Sequence, residues 1–168
     1  MRQGGVSNTR KSMQVLNAMD MPVRAIVDLD YAFTTATRDG FLEPNDPDIR
    51  FCTNLFRELA FHNHLRLVNG RPVNKHSNIS ASKAYAMMAA MPEAETPIKS
   101  IHMKLRQQGI WVWTKGAIEE HLGLEAKNEN AWSSFIERCK GQNFIKNLPD
   151  YAGIEALCQW IIDGSREV

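Results

Sequence analysis

Apolar positions along the chain alternate between two spacings, and the changes of spacing divide it into elements. Met13, Leu16 and Met19 recur at helical intervals, Ser7 or Asn8 stands where a helix cap belongs, and Met21-Pro22 stops the run. Val23 to Val27 is short and rich in β-branched residues, as a buried strand of a parallel sheet is. It leads directly into Asp28-Leu29-Asp30. A loop with Gly40, Pro44 and Pro47 follows, then a helical stripe through Phe51, Leu55, Phe56, Leu59 and Ala60. Asn69-Gly70 predicts a hairpin between 65 and 73, because that dipeptide accepts the positive φ of a type I′ turn. Ser80 to Met91 predicts a helix, and Thr96-Pro97 opens another that Gly109 closes. Ile110 to Trp113 is a second strand, running at once into Lys115, Gly116 and Glu119-Glu120. Helices over about 129–140 and 150–162 complete the chain, with Ala131, Phe135, Ile154, Leu157 and Ile161 as expected core contacts.

These elements imply an α/β fold: a small parallel sheet with flanking helices and a large helical insertion at about 39–108, in one domain over 1–168. At 168 residues, 43% hydrophobic and 23% charged, the sequence suits a globular domain and excludes collagen, coiled coil and acidic disorder. The three cysteines, Cys52, Cys139 and Cys158, are dispersed, which argues against a disulfide framework or a zinc ribbon and for a reducing cytoplasm. No apolar run approaches the roughly 20 residues that span a bilayer, so no membrane partner is expected. With 20 Lys and Arg against 19 Asp and Glu, net charge gives no sign of nucleic-acid binding, and any such binding must be local. His62, His64 and His76 cluster around the hairpin, where solvated loop histidines are commoner than a metal site.

Chemistry concentrates where the two strands end. Asp28 and Asp30 leave the first strand one residue apart, so both carboxylates can share one side. Like charges that close call for a cation, and hard oxygen donors suit Mg²⁺ or Mn²⁺. The second strand is expected to deliver Lys115 and Glu119 to the same edge. Three carboxylates and a lysine together can hold a metal and stabilise the charge of a phosphoryl-transfer transition state. The plainer alternatives are a loop cap for Asp-x-Asp and a helix-dipole complement for Glu119-Glu120.

The run Gly4-Gly5-x-Ser7-Asn8, a helix, Pro22 to Asp30, a helical insertion, and Trp111 to Gly123 together resemble the carboxyl-terminal topoisomerase-primase (Toprim) region of the overcoming-lysogenization-defect (OLD) nucleases. The resemblance covers most of the chain. It implies a metal-dependent DNA endonuclease, associated with phage defence or DNA repair. Asp28 and Asp30 match its Asp-x-Asp metal motif, Glu119 its later acidic residue, and Lys115 more loosely its basic one. A further downstream basic residue is implied, for which Lys140 and Lys146 are available. The family pattern opens with an acidic strand behind an ABC-type ATPase. Both precede the segment matched here, so the sequence reads as a fragment of a longer or split protein, with DNA and such an ATPase chain or domain as partners.

Two other functions compete. A non-catalytic Toprim-like module would bind DNA or a partner chain through basic residues of the insertion, among them Arg66, Arg71, Lys75, Lys83, Lys99, Lys104 and Arg106. Trp111 and Trp113 could stack on bases, although alternation along a strand favours burial on the two faces of the sheet. A haloacid-dehalogenase-like phosphatase also uses Asp-x-Asp, but its motif continues to a threonine where this chain has Ala32.

Overall fold

A computed structural model describes residues 8–124, 127–141 and 143–164. Ser7 and the Gly4-Gly5 segment lie outside the described residues. The fold is α/β, and the chain divides into two compact units, 1–116 and 117–168.

In the first unit, α1 (Thr9–Ala18) follows Asn8 and buries Met13, while Met19, expected on the same stripe, is exposed just past its end. β1 (Ala25–Val27) pairs in parallel with β4 (Ile110–Val112), Ala25 opposite Ile110 and Val27 opposite Val112. Ile110 and Val112 are essentially inaccessible, as expected of strands covered by crossover helices. Between the strands, a π-helical turn over Ala32–Ala36 precedes the insertion. α2 (Pro47–Asn63) starts where Asp46 accepts from the N–H groups of Asp48 and Ile49, with Pro47 in the first turn. Its buried face is Cys52, Leu55 and Phe56. Phe51, expected in that stripe, is 44% exposed, because Cys52 takes the core-facing position one residue on.

The hairpin is present as β2 (Leu67–Val68) and β3 (Arg71–Pro72), antiparallel about Asn69 and Gly70, both of positive φ. α3 (Ala81–Ala89) is capped by the Ser80 hydroxyl, which accepts from the N–H of Lys83. α4 (Glu95–Arg106) ends before Gly109 and packs against α2 and β4. Phe33, Phe56 and Tyr85 meet edge to face or tilted, with centroids 4.9–5.6 Å apart. Around them lie Leu29, Tyr31, Met88, Ile101 and Leu105, all fully buried. Each such side chain contributes about 1.5–3 kcal/mol through burial, which fixes the segment just after β1 more firmly than the short ladder does.

The second unit contains α5 (Ile118–Leu122), α6 (Glu129–Cys139) and α7 (Tyr151–Gly164). Leu148, Leu157 and Trp160 are its buried apolar residues after α5. Of the expected core contacts only Leu157 is buried; Ala131, Phe135 and Ile154 are half-buried, and Ile161 is 42% exposed. α6 buries nothing fully, because its apolar residues meet local aromatic neighbours: Phe135 packs on Trp132 and Phe144. No helix among the described residues is long and apolar enough to cross a membrane.

Candidate functional site

The ladder continues past the strands themselves. The N–H of Trp113 donates to the Val27 carbonyl at 3.0 Å, and the N–H of Leu29 to the Gly116 carbonyl at 2.6 Å. The turns that follow β1 and β4 are thereby joined at one end of the sheet. Gly116 adopts φ 121°, and a Cβ there would lie 3.2 Å from Ala86 Cα. The φ calls for glycine, and the approach to Ala86 is tight for any added Cβ.

Leu29 is wholly buried, Asp28 is half-buried and Asp30 is exposed. β1 ends at Val27, so strand alternation does not reach Asp30; burial is what sets Leu29 apart from the two more accessible carboxylates. Asp30 also begins the turn that continues into the π-helical segment, where Thr34 Oγ1 donates to the Asp30 carbonyl at 2.8 Å. Wide turns of this type recur at functional sites. Lys115 is exposed in the turn after β4, at the same carboxyl end of the sheet as Asp28.

Glu119 belongs to the second unit. It is 8% exposed in α5, and its Oε2 lies 3.0 Å from Lys127 Nζ. The ammonium is not aligned for a hydrogen bond, so this buried oxygen is balanced by charge alone. On the same short helix His121, 2% exposed, is hydrogen-bonded through Nδ1 to Asp150. Lys140 is exposed and paired with Glu137 at 2.7 Å, and Lys146 is exposed in a single turn at 145–147.

In the first unit the carboxylates of Asp28 and Asp30 are oxygen donors of the kind hard divalent cations take. Within either unit, among the described residues, no three His, Cys, Asp or Glu side chains are grouped to hold a metal by themselves. His62, His64 and His76 are exposed; His64 and His76 lie past α2 at positive φ, while His62 belongs to the last turn of that helix rather than to a loop.

Two groups near these residues carried no motif in the sequence. Lys127 is one. The other is Tyr85, whose hydroxyl is buried without a hydrogen-bond partner. Burial, followed by the charge of Asp30, pushes its pKa well above the ordinary value, against a smaller opposing effect of Arg71. Trp111 and Trp113 are 5% and 4% exposed. Trp111 packs against His102 and under Arg106, so base stacking does not describe it.

The chain is similar to the Old nuclease of Escherichia phage P2, 22% identical over 167 aligned positions that cover 94% of this chain. It spans 27% of that relative's length. No family model matches the chain, and no solved structure does. This similarity supports a relationship with the OLD nucleases.

Proposed function

We propose that this chain is the nuclease portion of an OLD-type endonuclease, with a Toprim-like site that hydrolyses DNA phosphodiester bonds. The observation that carries the reading is the Asp28-Leu29-Asp30 exit, pinned beside the turn that bears Lys115, in a chain similar along nearly its whole length to an Old nuclease. Asp28 and Asp30 are the proposed ligands of Mg²⁺ or Mn²⁺, with Glu119 as a third. A divalent ion bound by them supplies charge neutralisation and an activated water. Lys115 would orient the phosphate and balance charge that grows on its oxygens. Because the chain spans 27% of the relative's length, an ABC-type ATPase domain or partner chain is proposed to complete the acidic set. The setting inferred is cytoplasmic, in phage defence or DNA repair.

The test is calorimetric titration with Mn²⁺ beside a plasmid-nicking assay. Wild-type protein is expected to bind at millimolar affinity or tighter, and Asp28→Ala to abolish binding. Binding that survives in Asp28→Ala removes the metal site from this turn.

One observation favours the non-catalytic module as a second reading. The alternation of a parallel ladder turns the Val112 carbonyl away from β1, and His102 Nδ1 caps it at 3.0 Å. On β1, by contrast, Ile26 is 47% exposed, which suits the approach of a further apolar segment. A chain that binds DNA or an ATPase partner but never nicks plasmid, even with that partner and Mn²⁺ present, would favour this second reading.

A further inference from the structure

Three elements of the first unit meet beside the Asp30 turn. A Cβ on Gly70, at φ 76°, would fall 2.7 Å from Thr53 Cγ2, so the β2–β3 hairpin lies directly on α2 at this point. Pro72 is buried, and Arg71 beside it, facing the opposite way, is exposed. Its guanidinium Nη1 reaches the Thr34 carbonyl at 3.5 Å, the outer limit of a hydrogen bond. Thr34 in turn is bonded through its hydroxyl to the Asp30 carbonyl. From α3 the Tyr85 hydroxyl, buried and unpartnered, feels Asp30 and Arg71 together.

An arginine held by one long contact keeps most of its N–H donors for a ligand, in a planar fork that matches phosphate oxygens. The hairpin backbone fixes where that fork begins. Two lysines of the insertion differ from this arginine. Lys99 is spent on Glu95 at 2.6 Å, and Lys104 is shared between Asp46 and Asp48 at 2.7 Å each. We infer that Arg71 is a phosphate-binding residue of the Asp28–Asp30 site, gripping the nucleic-acid backbone beside the bond to be cut. The inference rests on the nuclease reading above. It makes the hairpin of the helical insertion, rather than the sheet, the part that holds the strand.

The test uses a fluorescein-labelled DNA duplex with Ca²⁺ in place of a cleaving metal, followed by anisotropy across a salt series, with Mn²⁺ calorimetry on the same proteins. Arg71→Gln, nearly isosteric at an exposed position, is expected to weaken duplex binding about tenfold, the effect of one charge-assisted contact. It should also lower the slope of log affinity against log salt by about 1, while Mn²⁺ binding stays unchanged. Arg71→Lys should restore the slope, and Lys99→Gln should alter neither quantity. Wild-type binding of both duplex and Mn²⁺, with Arg71→Gln indistinguishable from it, overturns the role of Arg71 and leaves the nuclease reading standing. An equal loss in Lys99→Gln also overturns it, since binding would then follow diffuse charge. A wild-type chain that binds neither probe overturns both.

Discussion

The main-chain N–H of Leu29 donates to the carbonyl of Gly116 across 2.6 Å, beyond the last residues of the two strands. Asp28 precedes the donor and Lys115 precedes the acceptor, so a single peptide contact sets the spacing of a carboxylate turn and a lysine turn. The geometry at this contact depends on a residue without a side chain.

Gly116→Ala is therefore expected to destabilise the protein by more than about 1 kcal/mol, because φ 121° is unfavourable for alanine and the new Cβ crowds Ala86. Urea unfolding measures this. The same variant should bind Mn²⁺ more weakly, and full stability with full metal binding would show that the turn does not need this conformation.

Tyr85→Phe separates stability from function. Deleting a buried hydroxyl that has no partner removes a desolvation penalty, so stability should be unchanged or rise by up to about 1 kcal/mol. Duplex binding in Ca²⁺ should stay unchanged, since the hydroxyl bonds neither Asp30 nor Arg71. A clear drop in melting temperature would mean that the hydroxyl has a structural role instead.

The Asp46, Asp48 and Lys104 cluster makes stability depend on pH at both ends. Burial alone raises the Asp48 pKa, but hydrogen bonds from Lys104 and Ser100 and the lysine charge outweigh it and hold the carboxyl below its ordinary 3.8. Its stabilisation is present above 3.8 and is lost as the pH falls through the lower folded value. For Lys104 burial works downward and the two carboxylates more strongly upward, so the folded pKa is raised above the ordinary 10.5. That contribution is present below 10.5 and is lost as the pH climbs through the folded value. In Lys104→Met, urea unfolding from pH 2 to 7 should show a smaller acid-induced loss than wild type. It should also show lower stability at neutral pH, by about 1 kcal/mol or somewhat more, because Asp46 is buried and the lysine is partly solvated. Identical pH profiles would exclude the cluster as the source.

Lys127→Met leaves the buried Glu119 oxygen without its neighbouring cation. The lysine is half-exposed, so the loss of stability should stay within about 1 kcal/mol. If Glu119 is a ligand, added Mn²⁺ should raise the melting temperature of this variant more than that of wild type. Equal shifts would separate Glu119 from metal binding.

The features legible in the sequence were those written in local chemistry. Val23 to Val27 is β-branched and Asn69-Gly70 suits positive φ, so strand and hairpin follow from short-range preferences, and with the strand comes the position of Asp28 and Asp30. The face of a helix is decided by what lies against it. The stripe on α2 therefore turned by one residue, exposing Phe51 and burying Cys52, and Ile161 on α7 proved exposed although its spacing is helical. Arg71 could be named only as one basic residue among several. Its place beside Thr34 depends on a hairpin folding back across α2, and no spacing along the chain encodes that.

The two parallel strands come from opposite ends of the first unit, with the whole insertion threaded between them. Closing so long a loop costs entropy before any ladder bond is made, so this ladder forms late in folding. During translation the Leu29 amide must wait for its acceptor until synthesis has passed Gly116. Until then only the core packing of Leu29, Tyr31 and Phe33 shapes the turn that carries the paired aspartates.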